Sequence, residues 1–161
     1  MFTIGEIIAH PLYGAGTIIE KNNREVLGEI HEYYVIEMSG KNEVIMVPVN
    51  KMHELGIRAL MPIGEAEKIM ELLICPVELG NDNWNKRYRD NNDKLKTGDI
   101  YEVTEVVREL TVRDNCKGLS AREKKMLLNA KKIILSELAC VMGATYEVLD
   151  QQVKEAIEQV V

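Results

Sequence analysis

Across residues 1–53 the hydrophobic positions fall in short runs. They are Thr17-Ile18-Ile19-Glu20, Glu32-Tyr33-Tyr34-Val35-Ile36-Glu37 and Glu43-Val44-Ile45-Met46-Val47-Pro48-Val49. Short runs rich in β-branched and aromatic residues predict strands. Gly14, Gly16, the pair Asn22-Asn23, Gly28 and the stretch Ser39-Gly40-Lys41-Asn42 punctuate them as turns. Short strands with closely spaced turns predict a small barrel or a strongly bent sheet.

From about residue 62 the period becomes helical. Gly64 to Ile74 sets Ile69, Leu72 and Leu73 on one side, and Pro76 follows as a stop. Trp84 to Leu95 is polar and basic, with few apolar anchors. Asp99 to Val112 aligns Ile100, Val103, Val106, Val107 and Leu110, with Asp99 and Glu102 as a capping box. Ser120 and Glu123 form a second box, opening a long helix to about Met142. Thr145 caps a last helix whose stripe is Leu149, Val153, Ile157 and Val160. Asp114-Asn115-Cys116-Lys117-Gly118 reads as a turn. The fold class expected is α+β: a small antiparallel β module over residues 1–58, then an all-helical domain over residues 62–161.

Charge changes this picture. The chain carries a net charge of -6, yet residues 84–132 hold 13 Lys and Arg against 8 Asp and Glu. Every other stretch is acidic. A basic island matters more for polyanion binding than whole-chain charge. Within it lies the sole tryptophan, in Asn83-Trp84-Asn85-Lys86-Arg87-Tyr88-Arg89. Cations hold phosphates, and a flat ring can stack on a base or wedge into a base step. Trp84 can equally anchor a helix to the core. Lys86, Arg87 and Arg89 span less than one helical turn, so they cannot all face one way.

Catalytic chemistry finds little support. No P-loop, GxGxxG, GxSxG or HExxH is present. Gly14-Ala15-Gly16 lacks a third glycine and leads into a strand, so it reads as a tight turn. Cys75, Cys116 and Cys140 are far apart, and His10, His31 and His53 lack metal-ligand spacing. No cofactor or metal is expected, and unpaired thiols fit a reducing cytoplasm. No apolar run approaches the ~20 residues of a membrane span. These features favour a binding protein over an enzyme.

Several motifs together resemble the CarD/CdnL family of bacterial RNA polymerase-binding transcription regulators. The first is Gly5-Glu6-Ile7-Ile8-Ala9-His10-Pro11-Leu12-Tyr13-Gly14-Ala15-Gly16-Thr17-Ile18, and the second is Val47-Pro48-Val49. The third is the run around Trp84. The fourth joins Glu105-Val106-Val107-Arg108-Glu109-Leu110 to Gly118-Leu119-Ser120-Ala121-Arg122-Glu123-Lys124-Lys125-Met126-Leu127. The resemblance implies a Tudor-like β-barrel that docks on the polymerase β subunit. It also implies a helical domain that contacts promoter DNA at the upstream edge of the transcription bubble. Carried over by position, Trp84 is the wedge that stabilises the open complex, and Lys86, Arg87, Arg89 and Lys124 contact DNA. Arg24 matches a basic position used for polymerase binding. A second such position is Met46 here, where a thioether can pack flexibly against a partner. The family pattern Tyr-Pro…His-Gly reads His10-Pro11…Tyr13-Gly14 in this chain. A monomer is expected. The alternative is an adaptor that binds polymerase and recruits another protein through its helices.

Overall fold

The structure, a computed structural model, describes residues 1–40, 43–80 and 83–160, the last by its backbone alone. Lys41 and Asn42 of the expected turn, and the Val160 side chain, lie outside the described residues. The chain forms two compact units, Met1–Leu60 and Met61–Val161.

The first unit is an antiparallel sheet of β1 (Ile7–His10), β2 (Gly14–Val26), β3 (Glu29–Met38), β4 (Val44–Pro48) and β5 (Arg58–Ala59). Their order is β4-β3-β2-β1-β5. Alternation along β3 sends Tyr34, Ile36 and Met38 to one face, where they meet Ile8, Ile18, Val47, Met52 and Ile57 in one core. A register shift between Ile18 and Glu20 bends β2. The sheet can then curl round that core.

Gly14 meets the turn expectation: it opens β2 with a φ of 84°, directly after the turn at residues 11–13. Two expected turns are absent: Gly16 lies inside β2, and Asn22-Asn23 is mid-strand, opposite Tyr33 and Glu32. Ladder pairing satisfies that backbone, which overrides the weak turn preference of the asparagines. The reversal is at Leu27-Gly28, as expected for Gly28, with φ of 52° and 82°. Positive φ at both central residues suits a two-residue hairpin, although leucine is strained there. β4 pairs only with residues 33–37 of β3. Beyond it, β2 and β3 continue as a two-stranded arm tipped by Leu27.

Gly16 has a packing reason rather than a turning one. A Cβ there would lie 2.8 Å from Ile36 Cγ2 and 2.9 Å from Met38 Sδ. His10, at the end of β1 opposite Gly14, is buried. Its Nδ1 accepts a hydrogen bond from the Leu12 N–H at 3.0 Å, and its ring tilts onto Tyr13 at 4.6 Å. Burial pushes its pKa down, keeping the imidazole neutral and that nitrogen free to accept.

The second unit contains α1 (Ile63–Ile74), α2 (Trp84–Lys96), α3 (Ile100–Cys116), α4 (Ala121–Met142) and α5 (Tyr146–Val160). Ile69, Leu73, Val103, Val106, Leu110, Ile134, Leu138, Leu149 and Val153 meet in its core, with α4 buried along most of its length. Helix α3 runs into the expected turn and ends at Cys116. Thr145 caps α5 through the Val148 N–H at 3.2 Å. Asp99 caps α3 by accepting from the Tyr101 N–H at 2.8 Å. The expected reciprocal bond from Glu102 is replaced: the Asp99 N–H donates to Thr97 Oγ1 at 3.1 Å. Lys131, buried in α4, meets Asp150 of α5 at 3.0 Å.

Gly16→Ala should lower the stability of the sheet unit by about 1–3 kcal/mol, the usual range for overpacking a filled core. Urea unfolding followed by far-ultraviolet circular dichroism measures it. An unchanged midpoint would show that Ile36 and Met38 can give way.

Candidate nucleic-acid interface

Helix α2 has almost no apolar surface with which to hold itself in place. Of its residues, Tyr88 and Leu95 pack on the core and Asn91 is buried beside them. Its firmest attachment is an ion pair. Arg87 Nε donates to Glu123 Oε2 at 2.8 Å, and Nη2 donates to Oε1 at 3.0 Å. This fork-to-fork contact supplies geometry as well as energy. The side chains are only 10% and 2% exposed. Arg87 bonding, followed by the Ser120 cap, holds the Glu123 carboxyl below its ordinary value of 4.5, against an opposing effect of burial. The Glu123 N–H donates to Ser120 Oγ at 3.2 Å, as a capping box requires. The Glu123 carboxylate, however, serves α2 as well as its own helix terminus.

Trp84 is the first residue of α2, next to the Asn83 cap, whose Oδ1 accepts from the Lys86 N–H at 3.3 Å. The residue is 49% exposed. By helical phase Trp84 belongs to the stripe of Tyr88, Asn91 and Leu95, which faces the core. It escapes burial because it stands at the end of that stripe. A core anchor would be covered; this ring is available to a ligand.

Arg87 is the expected DNA contact that the structure turns inward. Its guanidinium is occupied by Glu123, which ties α2 to the start of α4. Lys86 and Arg89 are exposed, and Lys86 lines one pocket together with Arg87, Asp90 and Asn91. Lys124 is exposed on α4, immediately after Glu123. The ion pair therefore brings the turn carrying Lys124 up to the turn carrying Trp84. Lys125 is also exposed there, and Arg122 lies over the Tyr88 ring at 4.2 Å, adding a second α2–α4 link. Neither Arg122 nor the Glu123 lock stood out in sequence, because a capping box already accounts for Glu123. Lys94, further along α2, pairs with Glu105 at 3.2 Å.

In the sheet unit Arg24 is exposed on the arm, opposite His31, and Met46 is half-buried on the edge strand β4, opposite Val35. His31 and Val35 share the face of β3 turned away from Tyr34, Ile36 and Met38. Arg24 and Met46 thus lie on one face, separated by four β3 positions, roughly 13 Å. Val26 and Leu27 add exposed apolar surface towards the hairpin tip. Among the described residues, no cluster of His, Cys, Asp and Glu could hold a metal ion, and no helix is long and apolar enough to cross a membrane.

Comparison with known proteins agrees with a two-unit transcription regulator. Residues 2–61 match the CarD-like/TRCF RID domain, and residues 68–154 match the CarD C-terminal domain. The Bacillus subtilis (strain 168) protein "Putative transcription factor YdeB" is 40% identical over 149 residues, covering 90% of this chain and 95% of that one. The solution structure of the 72-residue N-terminal domain of Myxococcus xanthus CarD is 22% identical, with a TM-score of 0.33 over 37% of this chain and 79% of that chain. The domain matches and the B. subtilis relative place this chain in the CarD/CdnL family of transcription regulators.

Arg87→Ala should destabilise the helical unit by about 3–5 kcal/mol, since it leaves Glu123 buried and unpaired. The pair should also make stability pH-dependent. The native Glu123 pKa is depressed, so its contribution is present above 4.5 and is lost as pH falls through the native value. Denaturation from pH 7 to pH 3 measures the slope. Glu123→Gln should flatten it; an unaltered slope would assign acid sensitivity to other groups.

Proposed function

We propose that this protein docks on the RNA polymerase β subunit through its sheet unit and stabilises the open promoter complex through its helical unit. The observation that carries the reading is the half-exposed Trp84 ring at a helix terminus, flanked by exposed Lys86 and Arg89, with Lys124 drawn near by the Arg87–Glu123 pair. Trp84 acts as a wedge at the upstream edge of the bubble, in the minor groove. Unstacking a base step costs a few kcal/mol in intact duplex, and less where the duplex is already distorted. An aromatic ring stacked against a base contributes about 1–3 kcal/mol. The wedge therefore favours the melted state over the closed one.

Lys86, Arg89 and Lys124 contact phosphates, which carry no sequence information. The reading is of a regulator that acts on many promoters. So few phosphate contacts in a protein of net charge -6 give weak, salt-sensitive binding to free DNA. Polymerase docking through the face bearing Arg24 and Met46 raises the effective concentration of Trp84 at the promoter. Arg87 is excluded from the phosphate contacts and acts as the positioning residue of α2.

Open-complex lifetime with purified polymerase tests both surfaces. The wild-type protein should lengthen it, and Trp84→Ala should shorten the lifetime on the order of tenfold relative to wild type, about 1.4 kcal/mol. Arg24→Glu should remove the effect at limiting protein and restore part of it at high concentration. If Trp84→Ala matches wild type, the ring is not a wedge, and an adaptor that recruits another protein through its helices becomes the better reading.

A further inference from the structure

Two of the three cysteines line one cavity in the helical unit. Helices α1 and α3 run side by side in the same direction. Tyr101 Oη donates to Glu65 Oε1 at 3.1 Å, and Arg108 Nη1 donates to the Leu72 carbonyl at 3.2 Å. Both contacts link residues 36 apart. Carrying that offset on sets Cys75 beside Thr111, a little over one turn before Cys116. At this end of the helix pair lies an open cavity of about 190 Å³. Ile74, Val77, Val112 and Ile157 supply apolar wall, and Cys75 and Cys116 both line it. Both cysteines are exposed, so a small oxidant can reach either one. Cys140 does not line this cavity.

Both cysteines sit at helix ends that lead to the candidate interface. Cys75 follows the last residue of α1 and has extended backbone, with φ of -65° and ψ of 143°. It begins the connection to Asn83 and Trp84. Cys116 ends α3 and begins the connection to Ser120, Glu123 and Lys124. Each cysteine therefore stands at the entry to one of the two helices that build the candidate interface. Cys75, outside a helix, can move towards Cys116, which the end of α3 holds. A disulfide needs Cα atoms within about 7 Å, so closing one draws the α1–α2 connection onto α3.

We propose that Cys75 and Cys116 are a reversible thiol-oxidation site for peroxides, forming an intramolecular disulfide that alters the setting of Trp84. One cysteine, as thiolate, attacks hydrogen peroxide; the S–O bond forms, the O–O bond breaks, and hydroxide leaves to become water on taking a proton. The second thiolate attacks the resulting sulfenic sulfur; the S–S bond forms, the S–O bond breaks, and a second hydroxide leaves and is protonated. Two thiols are oxidised by two electrons, and one peroxide is reduced to two waters. A dithiol reductant reverses the bridge. That oxidation changes transcription rests on the proposed function; that the bridge forms does not.

The reduced full-length protein is treated with hydrogen peroxide, quenched and mapped by mass spectrometry without reduction. The expected product is a monomer lighter by two hydrogens, with the Cys75 and Cys116 peptides joined and titratable thiols reduced from three to one. Cys140→Ser should still form the bridge, whereas Cys75→Ser and Cys116→Ser should not. Because Trp84 is the only tryptophan, its emission reports the second part: it should shift on oxidation of Cys140→Ser and return with dithiothreitol, but stay constant in Cys75→Ser. Sulfinic acids without a bridge, a bridge to Cys140 or a disulfide-linked dimer would overturn the site. A bridge with unchanged emission would overturn its effect on Trp84. Open-complex lifetime measured with the oxidised protein then separates a failure of this site from a failure of the wedge, since the latter leaves the mass result intact.

Discussion

The Arg87–Glu123 pair is the contact on which the candidate interface depends. Helix α2 presents polar side chains nearly all round, and such a helix has little stability of its own in water. Hydrophobic burial of Tyr88 and Leu95 gives it a seat, but two apolar contacts leave its end free to swing. A bidentate ion pair one turn from Trp84 removes that freedom. Its low exposure means that both charges have been taken from water, so the pair supplies direction more than net stability. Ser120 belongs to the same network, which joins the start of α4 to the start of α2.

This arrangement resolves a conflict between holding a helix and keeping its tip free. The proposed wedge role needs a ring that is presented stiffly, yet is not packed away. Placing Trp84 at the first position of α2 leaves the ring projecting past the packed stripe. The cations are divided by the same logic. Arg87 has its planar fork matched to an internal carboxylate, while Lys86, Arg89 and Lys124 stay in solvent. The sheet unit meets a comparable demand differently. Its arm leaves the core behind beyond β4, so Arg24 and the apolar tip project from a base in which Ile36 and Met38 pack closely over Gly16.

Much of the fold was legible along the chain. The change from strand-like runs to helical periodicity separated the two units, and the stripes in α3 and α5 named their buried residues, Val103, Val106, Leu110, Leu149 and Val153. Local chemistry was less dependable. Asn22-Asn23 signals a turn, yet the ladder with Tyr33 and Glu32 holds it in a strand. Glu102 sits at the right distance to complete a cap, yet Thr97 takes the Asp99 N–H. A neighbouring strand overrules the first preference, and a nearer competitor, Thr97, two residues before the cap, overrules the second.

By itself the sequence determined the two-unit α+β organisation, the basic island around Trp84 and the family motifs. These depend on residue type and spacing, and spacing along a helix or strand sets which residues share a face. Only the tertiary structure decided which of the clustered cations faces inward, that Trp84 overhangs its helix, and that Cys75 and Cys116 share one cavity. Arg87 and Glu123 are 36 residues apart, and no periodicity relates them. Their partnership arises because burying the apolar faces of α3 and α4 brings α2 against the start of α4, where one carboxylate and one guanidinium satisfy each other out of water.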